Sequence, residues 1–365
     1  MDEPRDTSKT WWLLHPLKGL NITDEIHDFD RPMFQDATII SRKHIQQIIA
    51  SITKLDEKHR HEIASLIDPD PRFDWGEGFQ SYLAVRRTGV MDSKYFRPPL
   101  IKDSCARAQR IGALLGLILL AESSHGKTCC LVEQLHRKEL RLGMIDVEEG
   151  GFHYQGGSGS RSNTICDPRM NHNLSRDDLK KIIFKEPFEA LTSILAPQKP
   201  SVSRSLRKAV EQSAIRLADA LHLASPSAQV LGAVTSIEIL VSNHGDSYDS
   251  NLRRLTALLG DDAIAQCDAK SVLRARHLYV HKGEGIEDLD IPINAIGLAL
   301  SCLLRYAEAA RFFRDKDNLV NYLDFVSYGM RLSNIWNEAE EKAFSELLKH
   351  KQKGYDFPFL KGHSA

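Results

Sequence analysis

The chain has 365 residues, 48 Lys+Arg against 49 Asp+Glu, a formal net charge of −1 and 42% hydrophobic residues. That length fits roughly two domains, and the composition excludes collagen-like, disordered and disulfide-scaffold classes. Near-neutral charge also excludes a protein that grips duplex DNA by its overall field, so any nucleic-acid contact must be local.

Six cysteines, at 105, 129, 130, 166, 267 and 302, form no CxxC pair. They are expected to be reduced, mostly buried thiols of a cytoplasmic protein. The most apolar run, Ile111 to Ala121, has 11 residues, about half of the roughly 20 that span a bilayer. The opening MDEPRDTSK lacks the basic and apolar regions of a signal peptide. Both point to a soluble chain with no membrane partner.

In chain order, residues 11–40 are short apolar runs broken by Pro16, Gly19 and Pro32, which predicts one or two strands and loops. Ser41 then caps a helix with Ile45, Ile48, Ile49 and Ile52 on one face, followed by a charged helix to about Leu66 in which His59-Arg60-His61 is a solvated face. Asp68 to Leu100, rich in Pro, Gly and aromatics, reads as a long packed connection with one short helix. Asp103-Ser104 caps an apolar helix to Ala121, and a second helix is expected from Thr128 to about Leu140. Glu148 to Arg169 is dense in Gly and Ser and predicts a surface loop. Helical pattern resumes at Ser175. The two prolines of Ala196 to Ser203 mark a domain boundary.

Beyond that boundary the period is cleanly helical. Leu206, Val210, Ala214, Leu217 and Leu221 form one stripe, and Val230, Val234, Ile237 and Val241 another. Leu252, Leu255, Leu258 and Leu259 mark a short helix ending at Gly260, and a fourth helix runs from about Ala263 to Val280 or His281. A fifth carries Ile293, Ile296, Leu300, Leu303, Ala307 and Ala310. Short links between striped helices predict an up-and-down bundle. The expected fold is mainly α: an α+β, mostly helical N-terminal domain over 1–195, a helical bundle over 196–315, and a helical tail over 316–365 with Leu319, Leu323 and Val326 on one face.

The sharpest chemical signal closes the fourth helix: Arg276-His277-Leu278-Tyr279-Val280-His281, then Lys282-Gly283-Glu284-Gly285. An arginine fork holds a phosphate, and a histidine titrating near neutrality moves protons beside it. That pair is sufficient to cleave RNA without a metal, because the ribose 2′-hydroxyl supplies the nucleophile. Arg followed by His at this range also occurs at Arg216 to His222, which reads as a decoy on a solvated helix face, and at Arg274 to His281.

Residues 200–315 resemble a HEPN domain, in particular the ApeA-like HEPN group. The likeness covers SLRKAVEQSAIRLADALH, AQVLGAVTSIEILVSN with its internal acid Glu238, SNLRRLTALLG, the RHLYVH motif and the long closing helix. The family motif is Arg, four to six residues, then His, commonly with a polar residue after the arginine; Arg276, His277 and His281 match it at its shortest spacing. WWLLHPLKGL near the N-terminus is loosely similar to the start of other ApeA-like chains. The resemblance implies a metal-independent endoribonuclease, often a toxin or phage-defence effector, with its site formed across a homodimer and with a possible antitoxin or defence-system partner protein. It implies Arg276 on the phosphate, His281 as general acid or base, His277 orienting one of them, and no cofactor. The alternative is a non-catalytic HEPN module that binds a partner or nucleotide and regulates another effector.

Arg276 and His281 lie five apart, about 140° around a helix, so they converge only through the long arginine, a distorted helix end, or a partner subunit. His277 and His281 share a face and could instead hold a metal, though no third ligand is evident nearby, or simply cap the helix. Glu238 either orients the motif or is a structural ion-pair partner. Residues 201–320 hold 14 Lys+Arg and 15 Asp+Glu, so RNA contacts must come from local cations: Arg253, Arg254, Lys270, Arg274 and Lys282. Residues 97–143, with eight Lys+Arg and four Asp+Glu, are more basic, which makes the N-terminal domain the better candidate for substrate or partner contact. Gly126-Lys127-Thr128 fits a permissive phosphate loop, against a default of a helix connection. Trp11, Trp12 and Trp75 are candidates for base stacking or core packing.

Overall fold

The computed structural model describes residues 9–18, 20–22, 26–27, 34–41, 43–45, 47, 81–89, 99–122, 131–132, 142–146, 152–155, 172–174, 188–196, 202–221, 223, 225–243, 246–260, 263–283, 285–286 and 290–327. Gly126-Lys127-Thr128, Cys129-Cys130, His59-Arg60-His61 and Trp75 lie outside them. The described chain is mainly helical. It divides into two compact units, Met1–Leu115 with Cys129–Lys181, and Gly116–Thr128 with Ile182–Ala365.

The first unit is built on strand β1 (Lys9–Lys18), with β2 (Leu20–Ile22), β3 (Ile26–His27), β4 (Ala37–Ser41), β5 (Ser81–Gly89), β6 (Leu131–Val132), β7 (Leu142–Asp146), β8 (Phe152–Gln155) and β9 (His172–Leu174). The main sheet has the order β3-β4-β5-β1-β7-β8, with β6 also on β1, and every one of its pairings is antiparallel. β2 and β9 form a separate parallel pair. Pairing of β1 with β5 runs from Lys9↔Gly89 to Leu17↔Ser81. Leu13, Leu14, Ile39, Ile40, Leu83 and Val85 are buried, so the sheet centre is covered on both faces and shows no alternation.

That explains a correction. Ser81–Gly89 is a strand and not part of a loop-like connection, and Leu131–Val132 is a strand where a helix was expected. Phe152–Gln155 is likewise a strand within the Gly/Ser-rich stretch. Helix α1 (Pro99–Glu122) starts earlier than Asp103 and runs for 24 residues, with proline at the one position where its missing N–H costs nothing. Its Lys102–Ala121 segment and the later Asp290–Ala310 helix are long and apolar enough to cross a membrane, and both are 78% buried within the fold. Core packing accounts for their apolarity.

The second unit holds α2 (Glu189–Leu195), α3 (Arg204–Ala220), α4 (Pro226–Val241), α5 (Tyr248–Leu259), α6 (Ala263–Lys282), α7 (Asp290–Ala310) and α8 (Lys316–Ser327). Ser203 caps α3 by accepting the Leu206 N–H at 3.4 Å, and Ser225-Pro226 opens α4. Across that hairpin a Cβ on Gly232 would sit 2.7 Å from the Ala220 Cβ, while Ser213 and Ser236 meet at 2.8 Å farther from the turn. The two helices are therefore antiparallel and in close contact. α7 is the hub: α2, α3, α4, α5 and α6 all pack on it, and it is buried nearly all round. Its Arg305 donates to the Leu259 carbonyl, satisfying the end of α5.

Candidate active site

The motif residues sit on the last two turns of α6. The helix stays regular past His281 and stops where Gly283, at φ 70, donates its N–H to the Tyr279 carbonyl at 3.1 Å. Only glycine enters that left-handed conformation without strain. His281 and Lys282 thus occupy the negative end of the helix dipole, where cations are favoured.

Because the helix is unbroken, its geometry separates the motif. Ala269, Val272 and Leu273 face the bundle core, and Arg276 follows them inward. It is half-buried and its Nη2 pairs with Glu238 Oε1 of α4 at 3.3 Å, with side-chain exposures of 25% and 28%. The Arg276 Nε is buried with no hydrogen-bond partner among the described residues. Burial raises the Glu238 carboxyl above its ordinary value, and the Arg276 charge acts in the opposite direction. Glu238 is thus brought to the motif arginine. Among the described residues Arg276 and His281 make no hydrogen bond with each other.

His277 and His281 take the opposite, exposed face. Their ring centroids are 4.5 Å apart and tilted by 45°. Lys270 and Arg274 lie on the same face at helical spacing and are also exposed, as is Lys282 at the helix end. Tyr248, the first residue of α5, meets His277 edge-on with ring centroids 6.0 Å apart. Burial and the Asp249 carboxylate raise the Tyr248 phenol above its usual value, while the charge of Arg274 works to lower it. Spacing along the chain gives no hint of Tyr248, because 29 positions separate it from His277. The two histidines gather no third metal-ligating side chain among the described residues.

One of the predicted phosphate contacts is taken up within the fold. Arg254 is a structural residue: it is buried, its Nε donates to Asp324 at 2.7 Å, its Nη2 to the same carboxylate at 2.8 Å, and its Nη1 to Asp246 and to the Val241 carbonyl. Those bonds fasten α8 to α5, and no donor face is left for RNA. Arg253 turns along its own helix, with Nη2 donating to Ser250 Oγ at 3.4 Å. Arg216 is partly buried in α3 with a buried Nε, which is not the solvated position expected of it. Trp11 is buried and donates its indole N–H to the Gly89 carbonyl at 3.2 Å, a packing role. Of the described cysteines, Cys302 is buried, Cys105 is intermediate and Cys267 is exposed, so burial is not general.

No family model, no curated protein and no solved structure matches the chain. The likeness to HEPN domains accordingly rests on the motif and helices quoted from the sequence.

Proposed function

We propose that the chain is a HEPN-like, metal-independent endoribonuclease acting in the cytoplasm, as a homodimer, in the manner of a bacterial toxin or anti-phage effector. The ribose 2′-oxygen attacks phosphorus, the 5′-oxygen departs, and a 2′,3′-cyclic phosphate remains. His281 takes the proton from the nucleophile or gives one to the leaving oxygen. Arg276 stabilises the charge gathering on the equatorial oxygens. His277, in tilted contact with His281, fixes the orientation of its ring, and Glu238 holds the arginine ready. The observation that carries this reading is the ending of α6: an arginine anchored by Glu238 and still 25% exposed, five residues before an exposed histidine at a helix terminus.

The test is digestion of total RNA by purified protein in EDTA, with product ends mapped. Wild type is expected to cut, and Arg276→Ala and His281→Ala each to lose at least about a hundredfold in rate. A greater loss in Arg274→Ala would move the motif to that arginine. A folded wild type that never cuts sinks the enzyme and favours the second reading, a non-catalytic HEPN-like module that binds a partner protein or nucleotide.

A further inference from the structure

We propose that Tyr248 is a nucleobase platform: it stacks the base next to the scissile phosphate, so the substrate must present that base unpaired. The proposal rests on the nuclease reading for the position of the phosphate, and on three observations for the platform itself. First, Tyr248 is 37% exposed, so part of its ring meets solvent. Second, its ring continues a short aromatic ladder, edge-on to His277 at 6.0 Å, which in turn lies 4.5 Å from His281. Third, exposed cations run beside that ladder: Lys270 and Arg274 stand on the face of α6 that carries both histidines, and the Arg274 charge reaches the Tyr248 phenol.

Aromatic faces beside a track of cations are what single-stranded nucleic acid requires, because bases stack on the rings while phosphates follow the charges. A duplex cannot use such a platform without first extruding a base. The bundle as a whole is slightly acidic, so cations alone would hold RNA weakly, and stacking supplies the missing affinity. The same stack sets the distance from base to phosphate, and hence which phosphodiester meets His281.

The probe is an unstructured 2′-fluoro oligonucleotide carrying 2-aminopurine, which cannot be cleaved and whose fluorescence is quenched when it stacks. Wild type is expected to bind and quench it. Tyr248→Ala should weaken binding between about fivefold and a hundredfold and abolish quenching, whereas Tyr248→Phe keeps both. Tyr248→Leu preserves apolar bulk against His277, and is expected to fold as wild type does yet still lose quenching. Lys270→Ala and Arg274→Ala should weaken binding and each reduce the salt slope by about one, leaving quenching intact at saturation. Undiminished binding and quenching in Tyr248→Ala overturns the platform, even where RNA cleavage is confirmed. A wild type that quenches the probe but cleaves no RNA removes the nuclease and keeps the platform. Failure of wild type to bind the probe overturns the platform too.

Discussion

Arg254 and His15 show how far burial alone alters what a polar side chain does. Arg254, 6% exposed, is shared between Asp246 and Asp324; removing it takes the paired cation from both carboxylates and leaves only the charge of Lys316 acting on Asp246. Arg254→Ala is expected to cost on the order of 3 kcal/mol of stability, read as a lower urea midpoint. A midpoint unchanged from wild type would show that α8 is held by apolar packing alone. His15 of β1 is fully buried, with Nε2 2.8 Å from Ser104 Oγ. Burial, aided by the nearby Arg87, pulls its pKa down to about 3 from 6.5. Arg87 is itself shared by Asp36 and Asp103, and Arg107 also grips Asp36 at 2.9 Å. Between those pH values the unfolded chain binds a proton that the folded chain refuses, so stability falls as pH drops below about 6.5, by up to about 1.4 kcal/mol per pH unit. Urea midpoints between pH 6.5 and 5 should therefore slope for wild type and flatten in His15→Gln, and identical slopes would discard the assignment.

At the scale of elements, the α3–α4 hairpin depends on one absent side chain. Gly232→Ala puts a Cβ 2.7 Å from that of Ala220, backbone-borne on both sides and unable to swing away. The expected loss is about 1–3 kcal/mol, and Ala220→Gly in the same chain should restore part of it. Additive losses in the double variant would mean that the helices separate freely. The helices of this unit were legible because their apolar residues recur at a 3.6-residue period, even in α7, which is buried nearly all round, and their ends carry serine caps, Pro226, Gly260 and Gly283. The strands were less so. Ser81 to Val85 are all buried, which erases the period-two signal, and the surrounding Pro, Gly and aromatic residues read as loop. The candidate site divides the same way. Arg276, His277 and His281 are local in sequence and were singled out from it, as was Glu238, which the structure pairs with Arg276. The fate of Arg254 was not legible, because Asp324 lies 70 residues away. Tyr248 was missed because nothing in the period of α5 links its first residue to α6.

At the scale of the whole molecule, the proposed nuclease has to bring Arg276 and His281 together although α6 is regular between them. Arg276 faces α4 and His281 faces outward on an unbroken helix, with Val280 between them 46% exposed. An isologous pairing about a two-fold axis would set the exposed histidine of one copy against the arginine side of the other, and would do so twice. Mixed dimers then give a decisive count. In a dimer of one Arg276→Ala chain and one His281→Ala chain, one site loses both groups and the other keeps both. Equal mixing makes about half of all dimers mixed, so activity should return to about a quarter of wild type although each variant alone is inactive. A site formed within one chain predicts no recovery at any mixing ratio. Dilution below the dimer dissociation constant should abolish the recovered activity and that of wild type together. Activity per chain that stays constant on dilution would assign the chemistry to the monomer and require Arg276 to leave Glu238 and reach His281 along its own helix.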